Sequence, residues 1–181
     1  NWLFLIDVDD GTSQRYDVPH GERGSHGAAS GPDDCVYTLT HSGNLYRFDP
    51  LHASWEFLVR PHPDEEKVWG SLCGRDGRYY FGTYPGACFG QVNLETGETF
   101  LAKRIASGAA YCDSFLEVSD GRIRCRAWAD ESRWLLFDPA TRTFQVQSAD
   151  TLLDLVPDGS AAVPHNAGLE AGDQWRAVDL G

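Results

Sequence analysis

The sequence repeats with a period of about 44 residues, and this constrains the fold more than any other feature. Three segments share one pattern, in which an apolar run ends in Asp or Asn and a turn follows. The three end residues, Asp49, Asn93 and Asp138, lie 44 and 45 residues apart. An earlier copy ends at Asp7 and a later, weaker copy ends at Asp179. A repeat of 41–45 residues is typical of one blade of a β-propeller.

A second marker recurs in step with the first. Asp76-Gly77 and Asp120-Gly121 are 44 residues apart, and Asp33-Asp34 and Asp158-Gly159 hold the equivalent places. Asp-Gly between two strand-like runs predicts a hairpin, because the turn needs a positive φ. In one unit the predicted strands, which we call a to d, are 70–75, 78–83, 89–93 and 98–104.

We therefore predict an all-β fold, a β-propeller of about four blades of four antiparallel strands, or a segment of a larger propeller. The predicted blade units are approximately 1–24, 25–67, 68–109, 110–150 and 151–181. A β-sandwich with regular hairpins is the alternative. Because the chain lacks Met and begins at Asn1 inside an apolar run, we expect it to be processed, trimmed or a fragment.

Composition excludes two classes of partner. The formal charge is −12, from 15 basic and 27 acidic side chains, and no basic stripe suits a nucleic acid. No apolar run approaches the roughly 20 residues that span a bilayer, which argues against a transmembrane protein. Without a basic stripe we also expect no contact with an anionic membrane. The five cysteines form no C-x-x-C pair and are odd in number. They predict buried free thiols rather than a zinc knuckle or a disulfide framework.

Several segments resemble known propeller repeats. Leu45–Pro50 followed by Trp55–Leu58 resembles the Y-x-x-D-P … W-x-x-L part of kelch-type repeats, although the kelch diglycine is absent. Gly31–Thr38 is similar to the G-P-D-G-x-L-W-F-T unit of virginiamycin B lyase-like propellers. Val92–Gly97 is similar to the D-x-x-T-G turn of many bacterial propellers. The resemblance covers about residues 1–148 and implies a propeller, and it transfers no catalytic residue.

The repeat phase places one set of residues at a common face of the propeller, where the d–a and b–c loops meet. Strand a begins near His26, Trp69, Asp113 and Thr151, and strand b ends near His41, Tyr84, Trp128 and Asn166, with His165 beside the last. Aromatic rings and a few polar groups suit an amphipathic ligand. We therefore predict that Trp69, Tyr84 and Trp128 bind a small polar or saccharide-like ligand. The alternative for both tryptophans is packing between blades, and the alternative for Tyr84 is a plain turn.

Two other functions stay open. His26, His41, Asp113 and His165 are catalytic candidates for a metal-assisted polysaccharide lyase or hydrolase, and the three histidines are candidates to hold a divalent metal as cofactor. A structural repeat array that contacts a protein partner, or the remainder of a larger propeller, is the third hypothesis. His20, His52 and His62 are predicted to lie on or near solvent without a function. The recurrent Asp7, Asp49, Asn93 and Asp138 are predicted to accept backbone N–H groups at turns rather than to bind calcium.

Overall fold

The structure, a computed structural model, describes residues 2–7, 9–24, 27–62, 66–147 and the backbone of a strand at 175–177. These residues form strands and one short 3-10 helix, Pro19–Gly21. The strands are β1 (Trp2–Asp7), β2 (Ser13–Asp17), β3 (Ala28–Ser30), β4 (Val36–Leu39), β5 (Leu45–Asp49), β6 (Ser54–Val59), β7 (Lys67–Cys73), β8 (Arg78–Tyr84), β9 (Phe89–Asn93), β10 (Thr99–Ala102), β11 (Tyr111–Glu117), β12 (Ile123–Trp128), β13 (Ser132–Asp138), β14 (Thr143–Gln147) and β15 (Trp175–Ala177).

The strands form four antiparallel sheets in chain order. We call the sheets β3–β6, β7–β10 and β11–β14 the first, second and third blades, and each is a meander of consecutive strands. The remaining sheet has the order β15-β1-β2 and is called the terminal sheet. In it β15, which the repeat pattern marks as a strand c, pairs antiparallel with β1, so that Leu5 lies opposite Ala177.

The hydrophobic core lies between successive sheets. One cluster joins the terminal sheet to the first blade through Leu5 and Phe48, and two more join the first to the second and the second to the third. Strand β8 shows why: Tyr79 and Phe81 pack toward the first blade, while Tyr80 packs toward the third. Alternate residues of one strand thus enter two cores. A sandwich would have a single core between two layers, so the β-propeller prediction is confirmed and the sandwich is rejected.

The turns follow the two sequence markers. The Oδ1 atoms of Asp49, Asn93 and Asp138 each accept two backbone N–H groups from the following turn, at 2.8–3.3 Å, which confirms the predicted Asx turns. Gly77 and Gly121 have φ of 73° and 84°. Asp34 takes the same left-handed conformation, with φ 59°, at the equivalent place. These turns recur because their chemistry is local to a few residues.

All five cysteines are free thiols, and four of them are buried. Burial raises the pKa of Cys35 to about 12, so its thiol stays protonated at neutral pH. Within the described ranges, no helix has the length and apolar character needed to cross a membrane.

Candidate functional site

The second and third blades bring four aromatic rings together at one end of the first two strands of each blade. Tyr84, Tyr111 and Trp128 stack in sequence, with ring centroids 4.2 Å apart at both steps and interplanar angles of 19° and 9°. Trp69 lies beside them, 5.4 Å from Tyr111 and 6.0 Å from Tyr84. We call these four residues the aromatic column. The sheet register produces the stacking, because Tyr111 lies directly opposite Trp128 on the neighbouring strand.

The rings of the column cover one another in part and stay partly accessible to solvent. Tyr111 has Tyr84 against one face and Trp128 against the other, while all four residues remain partly exposed. Burial and a hydrogen bond with the Tyr84 hydroxyl raise the pKa of Tyr111. The column therefore joins two blades, as the packing alternative for the tryptophans anticipated, and also presents an edge that is both apolar and polar.

Asp113 anchors the column. Its side chain is 9% exposed, and its carboxylate accepts from Arg126 Nε at 2.9 Å and from Arg126 Nη2 at 3.1 Å. The Trp128 indole N–H and the Ser114 hydroxyl also donate to it, at 2.6 and 2.8 Å. With four donors in place, the carboxylate is engaged in holding Trp128 against Tyr111. The geometry therefore gives Asp113 a structural role and offers no support for its role as a catalytic candidate.

Two residues of this site escaped the sequence reasoning. Tyr111 lies two positions before Asp113 on β11, and Arg126 lies two positions before Trp128 on β12. Alternate residues of a strand share a face. Counting back two positions from Asp113 and from Trp128 would therefore have identified both residues. The guanidinium of Arg126 also lies 5.1 Å from the Trp128 ring centroid, which is within the range of a cation–π contact.

One of the three histidine candidates, His41, lies within the described residues. His41 follows β4 in the first blade, where its backbone N–H donates to the Arg23 carbonyl at 2.9 Å. His26 and His165 lie outside the described residues, as do Thr151 and Asn166. The catalytic set and the metal set predicted from these histidines remain predictions.

A different histidine was misjudged. His62 is 1% exposed, so the prediction that it lies on or near solvent is wrong. Its Nε2 atom lies 3.5 Å from Oε2 of Glu66, and these two side chains form a group with Cys88 in which one ligand atom from each lies within 4.8 Å of the others. His52, by contrast, is exposed and pairs with Asp49 at 2.7 Å.

A depression lies next to the strands that carry the column. It has a volume of about 200 Å³ and is bordered by the loop before β11 and the loop after β12. Its lining includes Ala106, Ala109, Asp130 and Arg133. These charged and apolar residues belong to the two segments that adjoin Tyr111 and Trp128 in the chain.

The chain matches no family model and no curated protein, but solved structures share its fold. Virginiamycin B lyase from Staphylococcus aureus superposes with a TM-score of 0.69 at 16% identity, over 83% of this chain and 49% of the lyase. A catalytically inactive form of that lyase with quinupristin gives 0.68 at 12% identity, over 90% of this chain and 51% of the lyase. A chain of a nidogen/laminin complex gives 0.60 at 10% identity, over 84% and 63% of the two chains.

These likenesses show the fold and leave the family unresolved. The chain is a β-propeller repeat protein, and it spans about half the length of the lyase chains that it matches. The resemblance of its blades to virginiamycin B lyase-like propellers is confirmed at the level of the fold. The kelch resemblance stays a prediction.

Proposed function

We propose that the protein is a ligand-binding propeller module, and that a small polar or saccharide-like ligand docks against the exposed edge of the aromatic column. The observation that carries this proposal is the meeting of Trp69, Tyr84, Tyr111 and Trp128 at one end of two adjacent blades, each partly exposed. Large aromatic side chains that stay partly in water, each with a polar group, are the side chains that bind amphipathic ligands.

The chemistry of the column defines the ligand. Two tyrosine hydroxyls lie together at the edge and supply both donors and acceptors. Lys67 is exposed directly across the strand pair from Tyr84. A ligand with several hydroxyl or amide groups around an apolar framework fits this arrangement. A flat ligand that needs an open ring face fits less well, because the rings of the column cover one another.

The test is isothermal titration of the protein with two kinds of probe: neutral oligosaccharides, and quinupristin, the ligand in one of the similar lyase structures. Tyr84→Phe and Tyr111→Phe remove one hydroxyl each and keep the stack. Loss of a neutral hydrogen bond lowers affinity about 3- to 10-fold. Tyr16→Phe is the matched control, since Tyr16 is a partly exposed tyrosine of the terminal sheet that bonds Gln14.

The result separates a ligand site from a packing role. If the column variants weaken binding while Tyr16→Phe does not, the face binds the probe. If Tyr84→Phe and Tyr111→Phe bind every probe as tightly as the unaltered protein, the column only packs the two blades together. Absence of binding by any probe would also count against a polar or saccharide-like ligand.

A further inference from the structure

We infer that His62, Glu66 and Cys88 form a binding site for a divalent transition metal in the second blade. His62 and Glu66 precede β7, and Cys88 precedes β9, so the site joins the loop entering the blade to the loop between its second and third strands. This inference is independent of the proposed function, because it uses none of the residues of the aromatic column.

The ligand atoms of the three side chains are already nearly as close together as the ligands of a tetrahedrally coordinated ion. Their ligand atoms lie within 4.8 Å of one another, and His62 Nε2 is 3.5 Å from Glu66 Oε2. Around an ion with bonds of about 2.0–2.1 Å, such N and O ligands are separated by about 3.3 Å. Small movements of the side chains would therefore suffice to complete the coordination.

Contacts with glycines keep two of the ligands in place. A Cβ atom at Gly43 would overlap the His62 carbonyl oxygen, and one at Gly86 would overlap the Glu66 carboxylate. Thr83 Oγ1 donates to Glu66 Oε2 at 2.5 Å. A carboxylate has about four lone pairs, so Glu66 can keep this hydrogen bond and still bind a metal.

The preceding blade shows what the same positions do without these ligands. Glu22, 44 residues before Glu66, holds the equivalent place, and Thr40 donates to it at 2.5 Å as Thr83 does to Glu66. Asn44 and Tyr46 donate to the same carboxylate, at 2.7 and 3.2 Å. The Glu–Thr pair is thus part of the blade architecture, and in the first blade neutral donors complete it.

Two equivalent positions carry metal-binding side chains in the second blade and other side chains in the first. Val18 lies 44 residues before His62, and Asn44 lies 44 residues before Cys88. The equivalence with Asn44 is structural, because the N–H of Asn44 and the N–H of Cys88 both donate to the threonine of their own blade. Two substitutions at separate points in the sequence therefore converge on one carboxylate, and both introduce a soft or borderline donor atom.

The donor set indicates the class of ion. An imidazole nitrogen, a carboxylate oxygen and a thiolate sulfur suit Zn²⁺ and its neighbours, whereas Ca²⁺ and Mg²⁺ take oxygen ligands. Binding forms a metal–sulfur bond and releases the Cys88 thiol proton to solvent. The thiolate and carboxylate together balance the two positive charges of the ion, and three protein ligands leave a fourth position for water.

The test uses Co²⁺ as a spectroscopic substitute for Zn²⁺, added to the reduced protein after treatment with a chelator. We expect one equivalent to bind with a thiolate-to-cobalt charge-transfer band, and Zn²⁺ to displace it. His62→Val and Cys88→Asn copy the first blade and should weaken binding by more than about 100-fold. Cys88→Ser gives a variant closer in shape. Cys35→Ala, which removes a buried thiol of the first blade, should leave the band unchanged.

The thiolate band distinguishes this site from weak binding by surface carboxylates, which lack sulfur. Absence of the band from the unaltered protein overturns the inference, and so does its persistence in Cys88→Ser or its loss in Cys35→Ala. If His62→Val or Cys88→Asn fails to fold by circular dichroism, the unaltered protein and Cys88→Ser decide the result.

Discussion

Replacing Asp113 with Asn should lower the free energy of unfolding by about 2–3 kcal/mol. The substitution keeps the size of the side chain but leaves one oxygen where the carboxylate had two. The new NH₂ group then faces an N–H of Arg126 in either amide orientation, and in one of them it also faces the Trp128 indole. A lost hydrogen bond to a charged group costs about 1.5–3 kcal/mol.

The exposure of the pair limits this cost. Arg126 is 34% exposed, so water restores part of its solvation once the carboxylate is gone. The loss should therefore fall below the 3–5 kcal/mol expected when a fully buried pair is broken. Asp120→Asn is the matched control: its partner is Arg122, and the two side chains are 50% and 35% exposed. An exposed pair of this kind contributes about 0–1 kcal/mol.

Urea unfolding followed by circular dichroism measures the free energy of unfolding of both variants. If the slope of that free energy against urea concentration is unchanged, the variants differ in stability and not in the surface exposed on unfolding. The fluorescence of Trp128 should also change in Asp113→Asn, because the indole N–H then faces a neutral amide in place of a carboxylate. If Asp113→Asn is no less stable than Asp120→Asn, the carboxylate does not anchor the column, and its assignment as a structural residue is wrong.

Three further predictions concern the framework. Gly82→Ala should destabilise the protein by at least about 2 kcal/mol in urea unfolding, because the added Cβ atom would overlap a carbonyl oxygen of β11. Gly24→Ala is the control, and it should change stability little because the space around Gly24 is open. A hydrogen bond with the His52 side chain lowers the pKa of Asp49 below 3.8, and hydrogen bonds from turn N–H groups lower the pKa of Asp138 below the same value. These groups therefore stabilise the fold above that pH, and stability measured by urea midpoint should fall as the pH drops through their folded-state pKa values. Cys35, with its pKa raised to about 12, should resist alkylation at pH 8 in the folded protein and react once urea is added.

Much of the architecture was predictable because its signals are local. An Asx turn needs one side chain and the next two or three N–H groups, so Asp49 and Asn93 mark strand ends wherever they occur in the chain. The repeat then extends that local information to whole blades. The same phase relation correctly brought Trp69, Tyr84 and Trp128 to one end of adjacent blades.

What the sequence did not reveal has a different cause. His62 is predicted to lie near solvent because it falls in a turn after strand d of its unit, but its burial depends on contacts with Phe81 of the second blade and with Gly43 of the first. The partner of Asp113 was also hidden, because Arg126 is 13 residues away and meets it only through strand pairing. Neither fact is encoded in the neighbouring sequence.

The order of strands, their turns and the repetition of the blade follow from the sequence alone, since each rests on interactions within a few residues. The use of each polar side chain was decided only in three dimensions. Strand register determines which donors reach Asp113, and blade packing determines which side chains surround Glu66. Carboxylates of the same type thus serve as a turn acceptor at Asp49, an anchor at Asp113 and a proposed metal ligand at Glu66, because the groups that surround each of them arrive from different parts of the chain.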